Sequence, residues 1–105
     1  MAFTGASLAD GQLAATKGTI YTSSAKTIVK GFQVYNTAAT TETVVIYVKR
    51  SGSTSRSIFR AELDQDEFAW VLSDGETIVM SASDVIEGET TNATSVDYSI
   101  MGATE

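Results

Sequence analysis

The sequence predicts an all-β protein: a single antiparallel β-sandwich of about seven or eight short strands with an extended N-terminal arm. Short runs alternate apolar and polar residues, which is typical of half-buried strands. Serine and threonine supply 27 of the 105 residues, and this favours strands and turns over helices. A chain of this length is expected to form one domain, either jelly-roll or Ig-like, with a strand order that the pattern leaves open.

The first 16 residues differ from the rest of the chain because they are small and polar, with only isolated apolar side chains. We interpret residues 1–16 as an extended arm and residues 17–105 as the sandwich domain. Phe3, Leu8 and Leu13 are the candidate partner-binding residues, because each needs a surface that buries it. That surface belongs either to the same domain or to a neighbouring molecule.

Gly18–Thr22 is predicted as the first strand, and the stretch from Thr27 to Lys49 gives the clearest signal that follows. Two β-rich runs flank the polar break T-A-A-T-T-E, and we predict that they form a hairpin at the centre of an antiparallel sheet. The pattern predicts one inward row in each strand; these rows are Ile28, Phe32 and Val34, then Val44, Ile46 and Val48.

Arg56–Leu63 alternates in a way that suits a strand with Phe59, Ala61 and Leu63 facing inward, and a short helical turn is the alternative. Glu67–Leu72 is the next predicted strand. Its larger side chains recur at every second position, so Phe68, Trp70 and Leu72 are expected on one face. Trp70 is therefore expected in the core or at its rim.

The turn at Ser73-Asp74-Gly75-Glu76 places glycine where φ becomes positive. Thr77–Ala82 is predicted as a strand, and the acidic, threonine-rich segment Ser83–Thr94 as an exposed loop with a short bridge at Val85–Ile86. Ser95–Met101 alternates cleanly and is predicted as the closing strand, followed by a tail. Its inward residues are expected to be Val96, Tyr98 and Ile100.

Composition argues against several classes of function. The chain has no cysteine and no histidine, so it lacks thiolate chemistry and the commonest general base and metal ligand. The net charge of −6 disfavours nucleic acid as a partner. No apolar run is long enough to span a bilayer, and no secretory signal is recognised. We expect neither an enzyme nor a cofactor.

Two weaker patterns suggest a binding site, but each also has an ordinary structural explanation. Asp64, Asp66 and Glu67 put three carboxylates close together, as a calcium loop does, but no fuller ligand pattern follows and a solvated turn is the favoured interpretation. Four aromatic residues on predicted strands suit a carbohydrate platform or ordinary core and edge packing; these are Tyr21, Tyr35, Tyr47 and Trp70.

Three runs carry a resemblance to a known group of proteins. They are K-G-F-Q-V-Y-N-T-A-A-T-T-E-T-V-V-I-Y-V (Lys30–Val48), L-S-D-G-E-T-I-V-M-S-A-S (Leu72–Ser83) and V-D-Y-S-I-M-G (Val96–Gly102). Together they resemble small β-sandwich virion proteins of tailed bacteriophages. In that group a strand ends in Asn and small residues, a valine-rich strand follows, and a late turn precedes the closing strand.

The resemblance implies a structural role in the virion, after synthesis in the host cytoplasm. Such proteins commonly decorate capsids, often as trimers at local threefold positions, and others occupy the neck or tail. We therefore expect a capsid decoration (cement) protein that forms a homo-oligomer, with a trimer favoured. Its partners would be the major capsid protein or other virion proteins, not nucleic acid or membrane. The alternatives are a tail, neck or baseplate component and a carbohydrate- or receptor-binding module.

Overall fold

The computed structural model of the protein describes residues 3–72 and 75–105, and these fold into two antiparallel β-sheets packed face to face. The predicted all-β sandwich is therefore confirmed. The described residues contain nine strands, which in chain order are β1 (Thr4–Gln12), β2 (Gly18–Thr22), β3 (Thr27–Asn36), β4 (Glu42–Lys49), β5 (Arg56–Leu63), β6 (Phe68–Trp70), β7 (Ile78–Met80), β8 (Val85–Thr90) and β9 (Val96–Thr104).

The strand pairing has the nested order of a jelly roll. Sheet A runs β1-β9-β3, with β6 and β7 both paired to the far edge of β3, and sheet B runs β2-β8-β4-β5. Pairs nest outward from the β4–β5 hairpin, through β3 with β6 and β7 and β2 with β8, to β1 with β9. This long hairpin is rolled up, so β9 also lies beside β3 and β8 beside β4.

The predicted hairpin between the two central strands is wrong. β3 belongs to sheet A and β4 to sheet B, so residues 37–41 carry the chain from one sheet to the other. Buried Asn36 holds this crossing, because its Nδ2 donates to the carbonyl oxygens of Thr40 (2.9 Å) and Leu63 (2.9 Å). A short polar break between two β-rich runs is compatible with a hairpin or a crossing, and the sequence pattern does not separate the two.

The inward row predicted for β3 is correct only in its second half. Phe32 and Val34 are buried, but Val29 rather than Ile28 faces the core at the start of the strand. The reason is a bulge in the pairing with β9, where Lys30 is an extra residue between two paired positions. An extra residue shifts the alternation by one and moves every preceding side chain to the other face.

The orientation predicted for β6 is also wrong. Phe68 and Trp70 point outward and are exposed, whereas Ala69 and Val71 face the core. Ala69 pairs with buried Val34 of β3, and this register fixes which face each side chain takes. The prediction failed because the run E-F-A-W-V-L is apolar at almost every position and favours neither face.

The segment predicted as an exposed loop contains a central strand. β8 lies between β2 and β4, with Ile86 and Thr90 buried, and Asp84 just before it is buried too. A Cβ atom on Gly88 would approach Leu13 Cδ2 to 2.8 Å, so glycine leaves the room that Leu13 occupies. Because β8 places glycine on its inner row and glutamates on its outer row, it lacks the apolar alternation of a typical strand.

Other predictions are confirmed by the burial pattern. β4 and β5 have the inward rows expected of them, and β5 is a strand rather than a helical turn. β9 buries Val96 and Ile100, but it continues to Thr104 where a tail was predicted. Gly75 has φ of +84°, as the turn prediction requires, whereas Ser73 and Asp74 lie outside the described residues.

The N-terminal arm is extended, and most of it is a strand. β1 forms one edge of sheet A through its antiparallel pairing with β9, with a bulge at Leu8. Within this segment Leu8 and Leu13 pack against the core of the same domain, whereas Phe3 is exposed.

Candidate functional site: an aromatic face of sheet A

Large apolar side chains are concentrated on the outer face of sheet A. Among the described residues seven such side chains are exposed, and five of them lie on this face with exposed fractions of 36–54%. We call this surface the aromatic face; it consists of Tyr35, Phe68, Trp70, Val79 and Met101. Exposed large apolar side chains that concentrate on one face mark an interaction surface more often than singly scattered ones do.

Strand register builds the aromatic part of this face. Phe68 of β6 pairs with Tyr35 of β3, and Trp70 pairs with Gln33. The rings of Phe68 and Trp70 meet edge to face, with centroids 6.4 Å apart and planes at 85°. This arrangement is favourable for aromatic pairs, and it holds both rings in place while about half of each stays exposed to solvent.

Polar groups border the aromatic rings. The Tyr35 hydroxyl donates to Asp66 Oδ1 over 3.2 Å. Partial desolvation, reinforced by the carboxylate of Asp66, raises the pKa of Tyr35, so the phenol stays protonated and remains the donor. Further along the same row Asp97 pairs with Tyr35 and accepts a hydrogen bond from Gln12 Nε2 over 3.0 Å. The aromatic face is thus apolar toward β6 and polar toward β1.

The outer face of sheet B has a different character, because its polar groups bind one another. The Tyr47 hydroxyl donates to Glu89 Oε1 over 2.8 Å, and Lys17 Nζ lies 4.9 Å from the centre of the Tyr47 ring. The hydrogen bond to Glu89, followed by desolvation, raises the pKa of Tyr47. Ser55 donates to Glu87 on the same face. Tyr47 is therefore committed to contacts within its own sheet.

The three candidate partner-binding residues lie in different environments. Leu13 is a core residue with 1% of its surface exposed, and Leu8 is half-buried against the core. Phe3, which precedes β1, is 40% exposed. Only Phe3 therefore offers a large apolar surface to a partner in this conformation.

The candidate carbohydrate platform is divided by the fold. Tyr35 and Trp70 come together on the aromatic face, whereas Tyr47 lies on the opposite sheet and Tyr21 packs against the core. Sequence reasoning did not identify Phe68, Val79 and Met101 as surface residues. Their outward orientation follows from pairing with distant strands, which alternation along the chain does not reveal.

The carboxylates proposed as a calcium loop do not converge on one point. Asp64 Oδ1 accepts from Thr41 Oγ1 over 2.8 Å, while Asp66 binds Tyr35. No group of three or more potential metal ligands is found in the part of the chain that the structure describes.

A groove of about 350 Å³ opens between the edge strands β5 and β7. Val48 and Ile78 form its buried floor, Ile58 and Val79 its exposed apolar walls, and two arginines its polar rim. We call it the arginine groove; its arginines are Arg50 and Arg56.

No protein-family model matches this chain, and neither the curated proteins nor the solved structures include a significant match to it. Over residues 3–72 and 75–105 no helix has the length and hydrophobicity needed to cross a membrane.

Proposed function

We propose that the protein is a structural component of a tailed-phage virion that decorates the assembled head and docks on its shell through the aromatic face. The observation that carries this proposal is the concentration of exposed aromatic and apolar side chains on one side of a jelly roll. The sequence resemblance to small phage virion proteins supports the same role.

Docking of this face supplies the free energy that attachment needs. Full burial of a large apolar side chain contributes about 1.5–3 kcal/mol, and about half of that remains for each half-exposed residue of this face. Tryptophan and tyrosine are also frequent at energetic centres of interfaces. The edge-to-face contact of Phe68 and Trp70 positions these rings before binding, so little side-chain entropy is lost on docking. A repetitive shell presents the partner surface at many equivalent positions.

Substitution of Trp70 tests this proposal. We expect Trp70→Ala to weaken binding to assembled shells by at least about tenfold, because it removes a ring of the kind that dominates interfaces. The measurement is co-sedimentation of the purified protein with shells stripped of accessory proteins. Tyr47→Ala is the matched aromatic control on the opposite sheet, and its affinity should equal that of the unmodified protein.

Two outcomes would reject this docking surface. Full-strength binding by the Trp70 variant would remove the aromatic face from the contact. Loss of binding in Phe3→Ala alone would assign the contact to the N-terminal segment instead. The copy number per particle separates decoration of the head from a position in the tail, neck or baseplate, since a decoration protein is present in far more copies.

A carbohydrate- or receptor-binding module is the second candidate, and the pairing of rings with hydrogen-bonding groups favours it. Tyr35, Phe68 and Trp70 lie beside Asp66 and Gln33, and aromatic faces with adjacent polar groups suit the alternating apolar and hydroxyl surfaces of sugars. A saturable change in Trp70 fluorescence on titration with neutral polysaccharides would support this candidate. Shell binding without any response to polysaccharide would reject it.

A further inference from the structure

The arginine groove joins an apolar floor to a positive rim in an acidic protein. Ile58 and Val79 are exposed by 45% and 49%, so the groove leaves apolar surface uncovered. It also lies between two strands, β5 and β7, that each leave one edge without a partner strand within the described residues. Free edges and uncovered apolar walls together favour occupation by another polypeptide.

The two arginines differ in how they are bound. Arg50 Nη1 donates to Asp84 Oδ2 over 3.0 Å and to the Val79 carbonyl oxygen over 2.6 Å. The exposed Arg56 has no carboxylate partner among the described residues. The groove therefore presents an unpaired guanidinium beside apolar walls. Its complement is an acidic segment that also carries a large apolar side chain.

The same molecule carries such a segment at the end that lies away from the groove. The turn of residues 64–67 is exposed throughout and contains Asp64, Asp66 and Glu67, and the 54% exposed Phe68 follows directly. Strand β5 begins at Arg56 in the groove and ends at Leu63 beside this turn. Its eight residues separate the two surfaces by about 25 Å, so the turn of one molecule cannot fill its own groove.

We propose that the arginine groove binds the acidic turn of a second copy of this chain, so that copies assemble head to tail. A contact between two different surfaces of identical chains closes into a ring when its rotation allows. This inference rests on the proposed function in one respect, namely that a decoration protein is expected to form a homo-oligomer. It adds which two surfaces meet in that oligomer. Phe68 and Val79 belong both to the aromatic face and to the proposed contact, whereas Trp70 belongs to the aromatic face alone.

Analytical ultracentrifugation of the full chain tests the contact. We expect a concentration-dependent oligomer whose dissociation constant rises at least about tenfold in Arg56→Glu, because that variant sets like charges against each other. Glu67→Arg should weaken assembly similarly. The double variant Arg56→Glu/Glu67→Arg restores one pair of opposite charges, between residues 56 and 67, while Asp64 and Asp66 stay acidic, and it should recover part of the lost affinity. Lys26→Glu, with the same charge change outside the groove, should assemble normally.

Three results would overturn the inference: a monomer at every concentration, normal assembly of Arg56→Glu, or no recovery in the double variant. If circular dichroism shows that Arg56→Glu is misfolded, the salt dependence of the unmodified protein tests the inference instead. A contact between arginine and carboxylates must weaken as salt rises toward 1 M, so the dissociation constant of the oligomer should rise. Shell binding is measured separately. A monomer that binds shells would reject only this inference. An oligomer that does not bind shells would reject only the proposed function.

Discussion

Glu42 is a charged residue whose side chain is fully buried, and its environment explains how this is tolerated. Its carboxylate accepts hydrogen bonds from the backbone N–H of Asn92 (2.8 Å) and from Asn92 Nδ2 (2.7 Å). The hydroxyls of Thr90 (3.1 Å) and Thr40 (3.2 Å) also donate to it. Burial alone raises the pKa of Glu42, but these hydrogen bonds outweigh it and hold the pKa below the ordinary value. The charge is therefore stabilised without a cation, and it ties β4 to the loop after β8.

Glu42→Gln removes this charge while keeping the shape of the side chain. The amide has only one acceptor oxygen, and its NH2 group would face donors of Asn92 or Thr90. We expect the free energy of unfolding to fall by about 2–3 kcal/mol. Urea denaturation followed by circular dichroism measures the change.

Glu62→Gln is the matched control for that substitution, because Glu62 is exposed on the neighbouring strand β5. Its unfolding free energy should stay within about 0.5 kcal/mol of the unmodified protein. Equal losses in the two variants would show that the hydrogen bonds around Glu42 are not what stabilises the fold.

At the scale of elements, β1 and the residues on either side of it include two residues that pack in the domain and one that is exposed. Leu13, just beyond β1, fills the space left by Gly88 and lies in the core. Leu8 occupies the bulge of β1 and packs against the same core. Phe3 remains exposed. Most of the segment predicted as an arm is thus an edge strand of sheet A, preceded by the exposed Phe3.

This division predicts different effects for two substitutions. Leu13→Ala should lower the free energy of unfolding by about 2–5 kcal/mol, because it leaves a cavity between the sheets. Phe3→Ala should change it by less than about 0.5 kcal/mol. Thermal and urea unfolding of both variants checks this, and a Phe3 variant as unstable as the Leu13 variant would contradict the assignment.

The strands that the sequence predicted correctly are those with strict alternation along their length. β4 alternates buried and half-buried residues from Glu42 to Val48, and β5 turns Phe59, Ala61 and Leu63 inward. The failures have long-range causes. The bulge at Lys30 depends on pairing with β9, and the inner row of β8 depends on Leu13 filling the place of a side chain. Neither cause is visible in a window of neighbouring residues.

At the scale of the whole molecule, two carboxylates among the described residues make stability depend on pH. Backbone N–H groups of Ser51 and Ser81, assisted by Arg50, hold the pKa of Asp84 below its ordinary value despite its burial. Glu42 behaves in the same way. A carboxylate with a lowered pKa in the folded state stabilises the fold above its unfolded pKa, and this contribution is lost as the pH falls through the folded value.

We therefore expect the melting temperature to change little with pH above about 5 and to fall on acidification through pH 4 and below. The double variant Glu42→Gln/Asp84→Asn should start lower at neutral pH and should lose less on acidification. Differential scanning calorimetry between pH 2 and 7 measures both slopes, and parallel curves for the two proteins would contradict this account.

Only part of the candidate site could be predicted from the sequence, because the site depends on the strand order of the whole molecule. The sequence marks Tyr35 and Trp70 as candidates for a surface platform. They lie beside Phe68 only because β3 pairs with β6, which is distant from it in the chain. Met101 reaches the same face only because β9 lies beside β3. The composition of a sheet face depends on strand order, and the sequence did not determine that order.

The central position of β9 in sheet A has a consequence for biogenesis. This strand separates β1 from β3, yet it is the last of the nine described strands in chain order. Until β9 has been synthesised, β1 and β3 lack the strand that joins them, so sheet A cannot close before that point. The outer face of sheet A, to which β9 contributes Met101, is therefore complete only after β9 has been made.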